Sequence, residues 1–127
     1  MKLNILYCED DPDLREVIIE HLESNIGIDI HFIESDNGID AYKNFLTHKE
    51  FSFILSDYDM GRHQGDGISF YKKVRENNKD IKFVLLTSMP KENFSEFFND
   101  PNFFFISKSN FSMGINLCNL LKEKSIY

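Results

Sequence analysis

The sequence predicts an α/β protein: a doubly wound (βα)5 sandwich around a five-stranded parallel sheet in the order 2-1-3-4-5. Three observations carry this. Five short apolar runs of strand length alternate with stretches whose apolar residues recur at helical spacing. Such alternation is the pattern of a parallel sheet covered by helices on both faces. Right-handed crossovers then leave few topologies, of which this order is the favoured one. No repeat, low-complexity tract or Pro/Gly/Ser-rich linker appears, so residues 1–127 are expected to form a single domain.

Each element has a local cause. Residues 3–8 form a short apolar run, read as a buried strand. Pro12 suits a first helical turn, and Leu14, Val17, Ile18 and Leu22 recur at helical spacing among Asp13, Arg15, Glu16, Glu20 and Glu23 until Gly27 ends the helix. Residues 29–34 are a second strand, less apolar and so nearer an edge. Asn37 and Gly38 make a turn, followed by a helix over 39–46 with Ala41, Tyr42, Phe45 and Leu46 inward. Residues 51–56 are a third strand ending in Asp57. After a flexible loop at 65–67, a helix over 68–77 carries Ile68, Tyr71 and Val74 on one face. Residues 81–86 are a strongly apolar fourth strand. Phe94, Phe97 and Phe98 fit one face of a short fourth helix closed by Asp100 and Pro101. Residues 103–106 are the fifth strand, and 115–121 belong to a fifth helix.

Composition excludes several functions. Asp plus Glu number 21 against 14 Lys plus Arg, a net charge of −7, whereas a nucleic-acid binder needs a basic face and so does docking on an anionic membrane. The N-terminal apolar run stops at Cys8 and acids follow, which is no signal-peptide layout. Runs such as 103–106 are far too short to span a bilayer. Cys8 and Cys118 fit no zinc spacing and are expected as buried reduced thiols of a cytoplasmic protein. His21, His31 and His48 show no metal spacing and are expected at the surface. The 13 phenylalanines are expected mainly as core filler.

In doubly wound folds ligands bind beyond the carboxyl ends of the strands, at the switch between strands 1 and 3. Glu9, Asp10 and Asp11 follow strand 1, and Asp57 and Asp59 follow strand 3. Thr87 and Ser88 follow strand 4, and Ser107 and Lys108 follow strand 5. Any one of these is an ordinary turn former or helix cap. Together they bring carboxylates to one edge, where mutual repulsion calls for a cation. Mg2+ takes one or two carboxylates, keeps several waters and accepts phosphate oxygens. Lys108 offers a point charge, and the Thr87 hydroxyl a hydrogen bond, to a phosphoryl oxygen. A carboxylate can be the nucleophile.

These residues resemble a response regulator receiver domain along the whole chain. The resemblance rests on Glu9-Asp10-Asp11-Pro12 after the first strand, Asp57 with Met60 three later, and Asp66-Gly67 opening a helix. It rests further on Leu85-Leu86-Thr87-Ser88, on Phe105-Ile106-Ser107-Lys108, and on Asn37-Gly38 followed by Ala41. Asp57 to Thr87 is 30 residues and Thr87 to Lys108 is 21, in that family's order. The resemblance implies a flavodoxin-like fold and a signalling phosphoacceptor rather than an enzyme. Asp57 would accept a phosphoryl group from a sensor histidine kinase or a histidine phosphotransfer protein. Asp10 would bind Mg2+ directly, Glu9 mostly through water, Asp57 through its side chain and Asp59 through its carbonyl. Asp11 is the weaker candidate. Thr87 and Lys108 would hold phosphoryl oxygens. Phe105 sits at the aromatic switch position, and Thr87 moving toward a phosphoryl group would let that ring turn inward. The change would reach a protein target on the face of helix 4, strand 5 and helix 5. Only 19 residues follow Lys108, so no effector domain is expected, and no nucleic-acid or membrane partner.

Two departures from the family stand out. Ser109 replaces the usual proline after the lysine, where a cis bond would cost about 2.5–4 kcal/mol. The loop after Met60, residues 61–65, is longer than in the family and is expected to border the site, where Arg62 or His63 could reach a phosphoryl group, although a solvated loop is the favoured expectation. The first departure supports a rival reading, a degenerate receiver acting as a phosphorylation-independent interaction module. A second rival is a phosphatase of the haloacid dehalogenase type, which Asp57-Tyr58-Asp59 fits. That family needs further acids after its lysine, and here only Glu123 follows Lys108.

Overall fold

The computed structural model describes residues 2–48, 50–60, 66–109 and 112–124. Five strands, β1 (Lys2–Cys8), β2 (Asp29–Ser35), β3 (Phe53–Asp57), β4 (Lys82–Thr87) and β5 (Phe103–Ser107), form one parallel sheet in the order β2-β1-β3-β4-β5. Among the described residues the connections are α1 (Pro12–Ile26), α2 (Gly38–Thr47), α3 (Gly67–Asn77) and a 3₁₀ segment (Lys91–Asn99), and α4 (Met113–Lys124) follows β5.

Strand residues alternate between two cores, as the two-residue period requires. Ile5, Tyr7, Leu55, Val84 and Leu86 pack under α1 and α4 against Ile18, Leu22, Leu117 and Leu121. Leu6, Cys8, Ile54, Phe83 and Leu85 pack on the other face against Ala41, Phe70, Val74 and Phe94. Each such Leu, Ile or Phe removed from water is worth about 1.5–3 kcal/mol. Cys8 and Cys118 are buried free thiols.

The helix ends follow their local chemistry. The Asp11 carboxylate caps α1, and Gly27 closes it at φ 81°, a left-handed conformation that glycine adopts without strain. Asn37, expected in a turn, caps α2 through the Asp40 N–H at 2.8 Å, and Gly38 is the first helical residue. Apolar spacing overreaches in α1 and in α2. Val17 is 59 % exposed and Leu46 55 %, because each stands off the stripe that meets the sheet. His21 is only partly exposed: its ring abuts Gly114, where a Cβ would lie 2.8 Å from Nε2. His31 and His48 are exposed.

The fourth predicted helix is a 3₁₀ segment, kinked at Phe94 (φ −119°, ψ 15°). Pro90 gives it no side-chain cap, and side chains three apart eclipse in a 3₁₀ turn. Phe94 and Phe97 therefore share the inner side, while Phe98 is 37 % exposed. Tyr71 of α3 locks the segment in place. Its ring lies 5.5 Å from that of Phe97 and 5.0 Å from that of Phe103. The Tyr71 hydroxyl and Arg75 Nε each donate to Asp100 Oδ2 at 2.6 Å. No helix among the described residues is long and apolar enough to cross a membrane.

Candidate functional site

Register brings the acids together. Cys8 of β1 lies opposite Ser56 of β3, so the next residue on each strand is an acid, Glu9 and Asp57. Thr87 pairs with Ser107 across β4 and β5, and the Lys108 N–H donates to the Thr87 carbonyl at 2.9 Å. Glu9, Asp57 and Thr87 are buried although polar. Burial of that kind requires partners.

Those partners are present. Lys108 Nζ is 2.8 Å from Glu9 Oε1 and 3.0 Å from Asp57 Oδ1. The Tyr58 N–H donates to Asp57 Oδ1 at 2.8 Å, and the Asp11 N–H to Glu9 Oε2 at 3.3 Å. Thr87 Oγ1 accepts the Met89 N–H at 3.1 Å. Gly67, at the start of α3, braces the end of β3: its N–H donates to the Tyr58 carbonyl at 2.8 Å. A Cβ there would lie 2.4 Å from the Asp57 carbonyl oxygen, so only glycine permits this approach.

The electrostatics are those of crowded acids around one cation. Burial pushes the Glu9 carboxyl up, the Lys108 hydrogen bond pulls it down, and the Asp57 charge pushes it up again, leaving it at about 7. Burial pulls the Lys108 ammonium down, but its hydrogen bonds to Glu9 and Asp57 outweigh that and raise it.

Glu9, Asp10 and Asp57 each offer an oxygen within 4.8 Å of the others, and Asp10 is exposed. An all-oxygen donor set with one open side fits a hard divalent ion that keeps its waters. Asp11 does not join the cluster, because its Oδ1 accepts from the Asp13 and Leu14 N–H groups as the cap of α1. Asp59, exposed, borders the same cleft of about 420 Å³, as do Thr87, Ser88, Met89 and Lys108.

Phe105 lies outside that cleft, half-buried on β5 opposite Leu85. Its ring is 6.0 Å from Phe94, which packs edge-on to Tyr58 at 5.4 Å. The described peptide bonds are all trans, Lys108–Ser109 among them, and Lys108 still points at Asp57. Arg62 and His63 lie outside the described residues. Arg15 reads in the sequence as one more polar position of the first helix, yet its Nη1 donates to the Glu9 carbonyl. The only sequence signal was its place one turn after the Asp11 cap.

The sequence profile of the response regulator receiver domain matches residues 5–112. The receiver protein CpdR of Brucella abortus is 34 % identical over 83 residues, covering 65 % of this chain and 64 % of CpdR. The chain thus matches less than two thirds of that relative. The response regulator TrrA of Thermotoga maritima, solved in complex with Mg2+ and BeF, superposes with a TM-score of 0.78 at 24 % identity, over 95 % of this chain and 97 % of TrrA. A Francisella response regulator receiver domain superposes with a TM-score of 0.76 at 22 % identity, over 97 % of this chain and 98 % of that one. These two likenesses show the fold. The profile match shows the family: the chain belongs to the response regulator receiver domains.

Proposed function

We propose that this receiver domain takes a phosphoryl group from phosphohistidine onto Asp57 and answers by changing the face formed by the 3₁₀ segment, β5 and α4. The observation that carries this is the contact of Lys108 Nζ with Asp57 Oδ1 at 3.0 Å, beside an acid cluster on the same sheet edge. An Asp57 carboxylate oxygen attacks phosphorus, the P–N bond to the donor imidazole breaks, and the imidazole leaves with a proton. The donor is a sensor histidine kinase or a histidine phosphotransfer protein.

Asp10 and Asp57 would hold Mg2+ directly, Glu9 through water and Asp59 through its carbonyl. When bound, Mg2+ supplies charge neutralisation between these carboxylates and the incoming phosphoryl oxygens. Lys108, already among the acids, shifts toward a phosphoryl oxygen once one is present. The Thr87 hydroxyl leaves the Met89 N–H and donates to another, and the space released lets Phe105 turn inward. Phosphorylation adds about −1.5 to −2 charge and three acceptors, and only its contacts with Thr87 and Lys108 that differ between the two conformations shift the equilibrium. Buried free Cys8 and Cys118 are in keeping with a reducing, cytoplasmic setting.

Neither rival is favoured. A degenerate receiver would not need Lys108 aimed at Asp57 across a trans Ser109 bond. A haloacid-dehalogenase-type phosphatase fits less well, because the acids gathered with Asp57 are Glu9 and Asp10, which precede it in the chain.

Intact mass after incubation with acetyl phosphate tests the reading. We expect a single Mg2+-dependent phosphoryl adduct that Asp57→Asn abolishes. Equal adducts on both proteins, or no adduct together with no binding of beryllofluoride and Mg2+, would overturn it.

A further inference from the structure

We infer that Arg15 is a positioning residue of the acidic site: its guanidinium holds the backbone of Glu9 and thereby the carboxylate cluster in the arrangement that receives a divalent cation. The inference rests on the receiver reading above and adds a residue to it.

Glu9 is secured on both sides of its peptide. Its N–H donates to the Ser35 carbonyl of β2 at 3.0 Å. Its carbonyl accepts from Arg15 Nη1, while Arg15 Nε donates to Glu34 Oε1 of β2 at 3.0 Å. Both polar groups of the Glu9 backbone are thus tied to β2, one directly and one through the Arg15–Glu34 pair. This matters because Glu9, Asp10 and Asp11 are consecutive acids, whose repulsion works to splay the turn. The guanidinium fork reaches two acceptors at a fixed angle, which an ammonium does not. An ion pair as open as Arg15–Glu34, with the Glu34 side chain 49 % exposed, adds little stability, so geometry is the more consequential effect.

Charge and geometry predict opposite signs. A guanidinium acting only as a nearby positive charge would oppose cation binding, and its removal would tighten it. A guanidinium acting as a brace would favour binding, and its removal would weaken it. Outer partners that orient metal ligands typically govern affinity by 10–100-fold, and the brace predicts the lower end of that range.

The test is calorimetric titration of the full chain with MgCl2, for wild type, Arg15→Met, Arg15→Lys and Glu34→Gln, with thermal melts of each. Shifts of the Glu9 and Asp10 amide resonances serve as a second readout. We expect Arg15→Met to weaken Mg2+ by about tenfold, Arg15→Lys to fall between, and Glu34→Gln to change it least. A lowered melting temperature with unchanged or tightened Mg2+ affinity in Arg15→Met would overturn the inference and leave the receiver reading intact. If Arg15→Met fails to fold, wild-type affinity in Arg15→Lys overturns the inference. Absence of Mg2+ binding by the wild type overturns both.

Discussion

Lys108 Nζ lies 2.8 Å from Glu9 Oε1 although 99 residues separate them in the chain. The two meet because β1 and β5 both end on the same sheet edge, and the Lys108 side chain reaches back across the end of β3 to touch Asp57 as well. Lys108 is thus the cation that pairs with both buried acids.

Lys108→Ala therefore has opposite effects on two quantities. Without the ammonium the oxygens of Glu9 and Asp57 lose a competitor, so Mg2+ binding is expected to tighten by roughly tenfold or more, given the Coulomb energy of a close, partly buried pair. Phosphorylation of Asp57 is expected to persist at a reduced rate, while the response at Phe105 is lost. Calorimetry with MgCl2 checks the first. The β5 amide shifts on adding beryllofluoride check the second. Weaker Mg2+ binding, or a wild-type response at Phe105, would contradict the role given to Lys108.

Gly67→Ala is expected to destabilise the fold by about 1–3 kcal/mol, the usual cost of forcing an atom into packed space. The added Cβ would fall 2.4 Å from the Asp57 carbonyl oxygen and 2.9 Å from Leu85 Cδ1, so the end of β3 must shift. Asp57 moves with it, and acetyl phosphate should modify the variant more slowly than wild type. Urea unfolding and intact mass measure the two effects. A variant as stable and as reactive as wild type would mean that β3 yields freely.

The Asp100 network sets a pH dependence remote from the site. Burial pushes the Asp100 carboxyl up, but donors from Tyr71, Arg75 and Asn102 outweigh it and hold the group below its ordinary 3.8. The unfolded chain thus takes up the proton first as pH falls. The network's contribution is complete above the ordinary value and is lost as pH drops through the lower folded value. At the other end, burial and the bond to Asp100 raise Tyr71 to about 12, so the network survives past the ordinary tyrosine range. Asp100→Asn is expected to cost about 1–3 kcal/mol at pH 7. That deficit shrinks below about pH 4. Urea unfolding at pH 7 and pH 3.5 checks the sign, and a deficit that grows toward acid would refute it.

The sequence by itself determined the elements and the inventory of the sheet edge. Strand and helix periods, Pro12 at a helix start and Gly27 at its end are local signals, each readable within a few residues. They place Glu9, Asp10, Asp57, Thr87 and Lys108 at strand ends, and the handedness of the crossovers narrows the sheet order to a few, of which the observed one is the favoured. Tertiary structure decided which of these residues meet. Asp11 is consumed as a helix cap, Arg15 turns from a helix surface toward Glu9, and Lys108 reaches Asp57 beside a trans Ser109 bond. It also made residues 91–99 a 3₁₀ segment and left Val17 and Leu46 in solvent. The physical reason is the same in each case. Strand register, ring packing and the width of a buried stripe depend on contacts between residues far apart in the chain, and such contacts exist only once the sheet has assembled.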